Sequence, residues 1–130
     1  MPELHDWNCC GSTCFQALDD VEYVSLSGRN LALAERDGSQ DLVTPCSACF
    51  EALQRANHLL AGDPDLRQRA GEALGAAGLS YGGSVRVRHL LDVMANDVGL
   101  EAIEARVTQP LTGLKVACYY GCLLVRPPVL

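Results

Sequence analysis

The spacing of apolar residues along the chain predicts a series of short strands and helices. Apolar residues that recur every three or four positions indicate helices, and short apolar runs bounded by turn residues indicate strands. The predicted helices cover residues 24–36, 45–60, 65–77, 90–98 and 100–107. The predicted strands cover residues 41–44, 85–87 and 114–120. Strands that alternate with helices are typical of an α/β domain with a small, mainly parallel sheet and flanking helices.

Capping residues and a linker refine this division of the chain. Ser25 or Ser27 is expected to cap the first of these helices, and Thr44 the second, with Pro45 in its first turn. Residues 109–113 have the composition of a linker, and the strand after it has no following helix. We therefore predict one domain over residues 1–110 and the first strand of a truncated second unit in residues 111–130.

Composition and charge exclude several classes of protein. Hydrophobic residues make up 48% of the 130 residues and the net charge is −6, so a folded core is expected and disorder is not. An acidic chain is a poor ligand for a phosphate backbone, which argues against nucleic acid. The sequence contains no apolar run of the roughly 18–20 residues that a membrane span needs. The first residues lack the basic and apolar regions of a secretory signal, so we expect a cytoplasmic protein.

Cysteine is the unusual component, with seven residues in this chain. The odd count and the tight clustering argue against a disulfide framework and favour metal ligands or redox thiols. Cys46 and Cys49 are three apart at a predicted helix N-terminus, so both thiols should face one side and the helix dipole should lower their pKa.

The adjacent pair Cys9 and Cys10 carries more information about the metal. Neighbouring side chains diverge, so they chelate one tetrahedral ion poorly, whereas each can bind a different iron of a polynuclear cluster. This pair together with Cys46-x-x-Cys49 therefore favours iron–sulfur chemistry over zinc. A vicinal disulfide and a zinc-stabilised binding module remain as alternatives.

The spacing Cys9-Cys10-Gly11 followed by Cys46-x-x-Cys49 resembles the cysteine-rich CCG domain found in the B subunit of CoB–CoM heterodisulfide reductase and in its relatives. The local phrases that also match the family are Asp6–Gly11, Arg29–Ala34, Thr44–Cys49, Val87–Leu91 and Tyr119–Pro128. The last of these resembles the start of the family's second CCG repeat. The resemblance covers nearly the whole chain.

The resemblance implies a cofactor, a reaction and partners. Cys9, Cys10, Cys46 and Cys49 would be ligands of a non-cubane [4Fe-4S] cluster and thus the catalytic centre, and Cys122 would be the first ligand of a second cluster. The reaction would be reduction of a small-molecule disulfide such as CoM-S-S-CoB. Electrons would come from the flavin-bearing A subunit of a heterodisulfide reductase through its iron–sulfur C subunit. Relatives in glycolate-oxidase or lactate-utilisation complexes provide an alternative function in the same superfamily.

Two departures from the family pattern accompany the resemblance. The leading cysteine of the first motif should precede Met1, and the remaining cysteines of the second motif should follow Cys122. The chain is therefore expected to be a fragment that is inactive by itself. Cys14 and Cys118 match no motif position and are expected to be packed thiols, with Cys14 as an alternative ligand. His89 is expected to have a structural role or to line the site.

Overall fold

The computed structural model describes residues 2–125, apart from the side chain of Thr13. In that part of the chain, two parallel strands are flanked by helices, which confirms the predicted α/β class. The strands are β1 (Asp41–Thr44) and β2 (Arg86–His89), and a π-helix covers Val93–Gly99. The α-helices are α1 (Ser12–Gln16), α2 (Asp20–Arg36), α3 (Ser47–Gly62), α4 (Pro64–Ala76), α5 (Leu90–Asp92), α6 (Leu100–Glu104) and α7 (Cys122–Val125).

Helix α2 lies at the centre of the core and packs against both α3 and α4. It begins earlier than predicted because the Asp19 side chain accepts hydrogen bonds from the N–H groups of Val21 and Glu22, at 2.8 and 3.0 Å. The prediction of Ser25 or Ser27 as the cap was therefore wrong. The fully buried side chains of α2 and α3 are Tyr23, Val24, Ser27, Leu31, Ala32, Ala52 and Ala56, each with 0% exposure.

The two parallel strands bring the N-terminus of α3 and the end of β2 to the same edge of the sheet. They pair in parallel from Asp41 opposite Arg86 to Thr44 opposite His89. Strand β2 begins one residue later and ends two residues later than predicted. Helices follow both strands directly, so their N-termini meet at the carboxyl edge, where ligands bind in open α/β sheets.

Helix α3 begins later than predicted, and this changes the position of Cys46. The backbone of Cys46 is extended, with φ −96° and ψ 120°, and Cys46 is the N-cap of the helix. Thr44 was predicted as the cap but instead accepts a hydrogen bond from the Cys46 N–H at 3.3 Å. Pro45 consequently precedes the helix, and the Cys46 thiol sits in front of the first helical turn.

The C-terminal third departs most from the sequence-based prediction. The predicted helix over residues 90–98 is α-helical only in α5 and continues as the π-helix. The predicted strand over residues 114–120 is absent, and its large side chains are exposed, with Val116 71% and Tyr119 102% accessible. A strand needs a neighbouring backbone edge to pair with, and these residues find none within residues 2–125. The predicted domain boundary at residue 110 stays a prediction. The last three residues, 126–128, of the phrase that resembles the second CCG repeat lie outside the described residues.

Candidate metal centre

A hydrogen-bonded clamp holds the loop of Cys9 and Cys10 against helix α2. The Asn30 side-chain oxygen accepts the backbone N–H of Asn8 at 3.0 Å, and the Asn30 amide nitrogen donates to the Asn8 carbonyl at 2.8 Å. One buried amide therefore satisfies both backbone groups of the residue before the thiol pair, as a neighbouring strand would.

The Asn8 side chain completes the clamp from the loop. Its amide nitrogen donates to the carbonyls of Cys9 and Leu26, both at 2.9 Å, and its oxygen accepts from Arg29 at 3.0 Å. Arg29 also pairs with the Asp6 carboxylate. Sequence reasoning found these phrases but assigned them no role, because partners 22 positions apart show no local pattern. The polar pair Arg29-Asn30, directly before the apolar run Leu31–Ala34, was the signal available in the sequence.

Gly11 turns the chain sharply after the two thiols. Its φ is +77°, and a Cβ at this position would lie 2.8 Å from Phe15 Cδ2 and 2.9 Å from Leu26 Cδ2. Both the left-handed backbone and the lack of space require glycine here. The glycine of the Cys-Cys-Gly motif thus fixes the direction in which the chain leaves the site.

The structure brings Cys10 and Cys49 into contact. Their Sγ atoms are 3.3 Å apart, and Cys10 is only 3% exposed. Cys9 is exposed, so the adjacent thiols point in different directions, as expected from their adjacency. Cys46 is exposed in front of α3, close enough to Cys49 for the two thiols to interact.

The two thiols of the Cys-x-x-Cys segment have opposite electrostatic environments. The backbone N–H of Cys49, and to a lesser extent that of Ala48, lowers the pKa of Cys46, although neither completes a capping hydrogen bond. Burial raises the pKa of Cys49 to about 12, and contact with Cys10 adds to this rise. The expectation that the helix dipole lowers both pKa values was therefore wrong for Cys49, where burial dominates.

Three of the thiols line a cleft of about 1090 Å³, here called the thiol cleft. It lies between the N-terminal segment, strand β1 and the region from Arg88 to Asp97. Cys9, Cys10 and Cys49 form part of its wall. Its apolar lining includes Leu4, Trp7, Ala34, Leu42, Val43, Leu53, Leu90 and Val93.

A single arginine in the wall of the thiol cleft is neutralised by carboxylates. The Arg88 side chain is 11% exposed and forms ion pairs with Asp41, Asp92 and Asp97. These contacts lower the pKa values of Asp92 and Asp97, chiefly through hydrogen bonds from Arg88. Arg88 therefore holds the π-helix against the sheet and has no uncompensated charge to offer an anion.

The remaining three cysteines are all exposed. Cys122 begins helix α7, is exposed and does not line the thiol cleft. Cys14 and Cys118 are exposed as well, so the expectation that both are packed thiols was wrong. Cys14 lies on the outer side of the short helix α1, and Cys118 lies in the segment that forms no strand.

The donor chemistry of the site fits an iron–sulfur cluster. Thiolates are the ligands that such clusters use, the Cys10 and Cys49 sulfurs are in contact, and Cys46 is near enough to Cys49 to help raise its pKa. Over residues 2–125, no three or more His, Cys, Asp or Glu side chains form a group that could hold a single metal ion. As arranged here, the thiols therefore do not surround a common point.

The N-terminal part of the chain matches a known domain. Residues 1–54, which contain the thiol pair and the Cys-x-x-Cys segment, match the CCG cysteine-rich domain. The resemblance drawn from the cysteine spacing is thus confirmed.

Curated relatives extend this similarity over nearly the whole chain. This chain is 35% identical over 126 residues to the B subunit of the ferredoxin/F420H2-dependent CoB–CoM heterodisulfide reductase of Methanosarcina acetivorans. It is 37% identical over 125 residues to the 8-methylmenaquinol:fumarate reductase membrane anchor subunit of Wolinella succinogenes. A protein of Archaeoglobus profundus that is named as similar to the heterodisulfide reductase B subunit is 32% identical over 128 residues. These alignments cover 96–98% of this chain but only 41–42% of the relatives, so the chain spans about two fifths of their length.

One of these relatives is named as a membrane anchor. None of the helices within residues 2–125 of this chain combines the length and the apolar character that a membrane span requires.

Proposed function

We propose that this chain is an iron–sulfur redox subunit in which Cys9, Cys10, Cys46 and Cys49 bind a non-cubane [4Fe-4S] cluster. The observation that carries this proposal is the 3.3 Å contact between Cys10 and Cys49, two thiols 39 positions apart in the two halves of the CCG motif. When bound, the cluster would supply electron transfer beside the thiol cleft.

The chain's own residues have separate tasks in this proposal. The Asn30 clamp holds Cys9 and Cys10 in place, and the burial of Cys10, with the half-buried Cys49 beside it, keeps water from this side of the site. The exposed Cys9 and Cys46 reach the outer side. Because the Cys46 pKa is lowered, this thiol is the readiest of the Cys-x-x-Cys pair to lose its proton and bind metal.

The proposed substrate is a small-molecule disulfide such as CoM-S-S-CoB. Support comes from the names of two relatives and from the thiol cleft, whose volume of about 1090 Å³ is of the order that small-molecule sites have.

We further propose that electrons arrive from a flavin-bearing A subunit through an iron–sulfur C subunit, in the cytoplasm. Cys122 would serve a second cluster. A role in a glycolate- or lactate-oxidising complex is the alternative, and the neighbouring genes would distinguish the two.

The cofactor is tested by anaerobic reconstitution of the chain with ferrous iron and sulfide, followed by measurement of bound iron, sulfide and zinc. We expect a brown protein whose iron content falls strongly in Cys10→Ser and Cys49→Ser. The matched controls are Cys14→Ser and Cys118→Ser, which remove exposed thiols elsewhere and should leave the iron content unchanged.

Two results would contradict the proposal. One is stoichiometric zinc without iron, which would identify a zinc-stabilised binding module instead. The other is an iron content that falls no further in Cys10→Ser and Cys49→Ser than in the two control variants, since iron bound adventitiously to exposed thiols would not depend on Cys10 and Cys49.

A further inference from the structure

His89 carries a buried hydrogen-bond donor without an acceptor in the described residues. The residue is 6% exposed, and its Nε2 atom has no hydrogen-bond partner within residues 2–125. Its other ring nitrogen, Nδ1, accepts the backbone N–H of Leu91 at 3.1 Å and so caps helix α5. The structural role expected for His89 is therefore confirmed, but it uses only one of the two nitrogens.

The cap fixes which nitrogen carries the proton. A neutral imidazole has one N–H and one acceptor nitrogen, and Nδ1 is occupied as the acceptor. The proton of the neutral ring must then be on Nε2, which makes Nε2–H a donor. A buried donor that lacks an acceptor destabilises the fold, so such groups are retained where a partner completes them.

The position of His89 identifies the kind of acceptor that is missing. In the sheet it pairs with Thr44, two residues before Cys46. Its ring lies edge-on to Phe50, the residue after Cys49, with centroids 5.7 Å apart and planes at 87°. His89 thus contacts the residues that flank the Cys46–Cys49 segment on both sides, at the carboxyl edge of the sheet. The acceptor that this segment would bring is anionic sulfur.

We propose that His89 is a positioning residue for the candidate cluster, whose Nε2–H donates a hydrogen bond to a sulfur of the bound cluster or of its thiolate ligands. This inference rests on the proposed function. A hydrogen bond to sulfur withdraws electron density from the cluster and raises its reduction potential, and it is one of the means by which proteins set that potential.

Two conservative substitutions test the donor role of His89 Nε2 separately from the capping role of Nδ1. In His89→Asn the side-chain oxygen replaces Nδ1 as the cap acceptor, but no group reaches the place of Nε2. In His89→Gln the amide nitrogen reaches that place, while the cap is weakened. The matched control is His58→Asn, at an exposed histidine of α3. The measurements are the midpoint potential in an anaerobic titration followed by electron paramagnetic resonance, and the melting temperature of the metal-free chain.

We expect His89→Asn to bind iron as the unchanged chain does and to shift the midpoint potential to a more negative value. His89→Gln should stay closer to the original potential but melt at a lower temperature, and His58→Asn should change neither. Nitrogen NMR of the metal-free chain should show the proton of His89 on Nε2.

An unchanged potential in iron-loaded His89→Asn would overturn the role of His89 while leaving the cluster assignment intact. A proton on Nδ1 would also overturn it. A chain that takes up no iron would overturn both proposals.

Discussion

The clamp between Asn30 and Asn8 gives the sharpest test of how the site is held together. In Asn30→Leu, a side chain of similar size replaces the amide and removes both hydrogen bonds to the Asn8 backbone, at 3.0 and 2.8 Å. Each hydrogen bond contributes about 1 kcal/mol, and an orphaned backbone group costs more where water cannot reach it. Asn8 is half-buried, so we expect the loop to lose about 2 kcal/mol of its free energy of closure.

The assay follows the reactivity of Cys10 in the metal-free chain. This thiol is 3% exposed, so iodoacetamide reaches it only when the loop opens. A loss of about 2 kcal/mol corresponds to an increase in the open population of roughly 30-fold. We therefore expect Cys10 alkylation, followed by peptide mass spectrometry, to accelerate by about that factor in Asn30→Leu. Asn30→Asp retains the acceptor for the Asn8 N–H and should show a smaller increase.

Asn57 provides the matched control. Its side chain also makes two hydrogen bonds, donating to the Val85 carbonyl at 2.9 Å and accepting from the Tyr81 hydroxyl at 2.8 Å, on the side of α3 that faces the sheet. Asn57→Leu should lower the free energy of unfolding in urea without accelerating Cys10 alkylation by local opening. Equal acceleration in Asn30→Leu and Asn57→Leu would refute the clamp, because Cys10 would then be exposed only by global unfolding.

Further predictions concern the turn, the thiols and the arginine cluster. Gly11→Ala should destabilise the chain by about 1 kcal/mol or more, because the new Cβ is strained at positive φ and clashes with Phe15 and Leu26. It should also reduce iron uptake in the reconstitution assay. Uptake equal to that of the unchanged chain would contradict this. Because its pKa is lowered, Cys46 should alkylate at a lower pH than an ordinary thiol. Cys49 has a pKa of about 12 and should stay unreactive at pH 9. The reverse order of reactivity in a pH series would be inconsistent with the described environments. Because Arg88 depresses the pKa of Asp97 in the folded state, this pair stabilises the fold above the ordinary carboxyl pKa and loses its effect as the pH falls through the lowered value. Asp97→Asn should therefore lower stability to urea more at pH 7 than at pH 3, and a larger effect at pH 3 would show that the sign is wrong.

Local sequence signals determined the elements whose ends are marked by side chains. Strand β1 covers the predicted residues 41–44, and α4 begins at Pro64 behind the Asp63 cap, within one residue of the predicted start. The α/β class followed from these elements. The cysteine spacing was sufficient to identify the CCG domain, because the spacing of metal ligands is a property of the chain itself.

Only the tertiary structure decided how these parts combine. The contact between Cys10 and Cys49, the Asn30 clamp and the raised pKa of Cys49 all depend on residues more than twenty positions apart. The residues at 114–120 have strand propensity, but propensity forms a strand only where a neighbouring backbone can pair with it. Burial and long-range partners are not encoded in a local window, which is why the sequence alone could identify the thiols of the site but not the environment that gives each of them its chemistry.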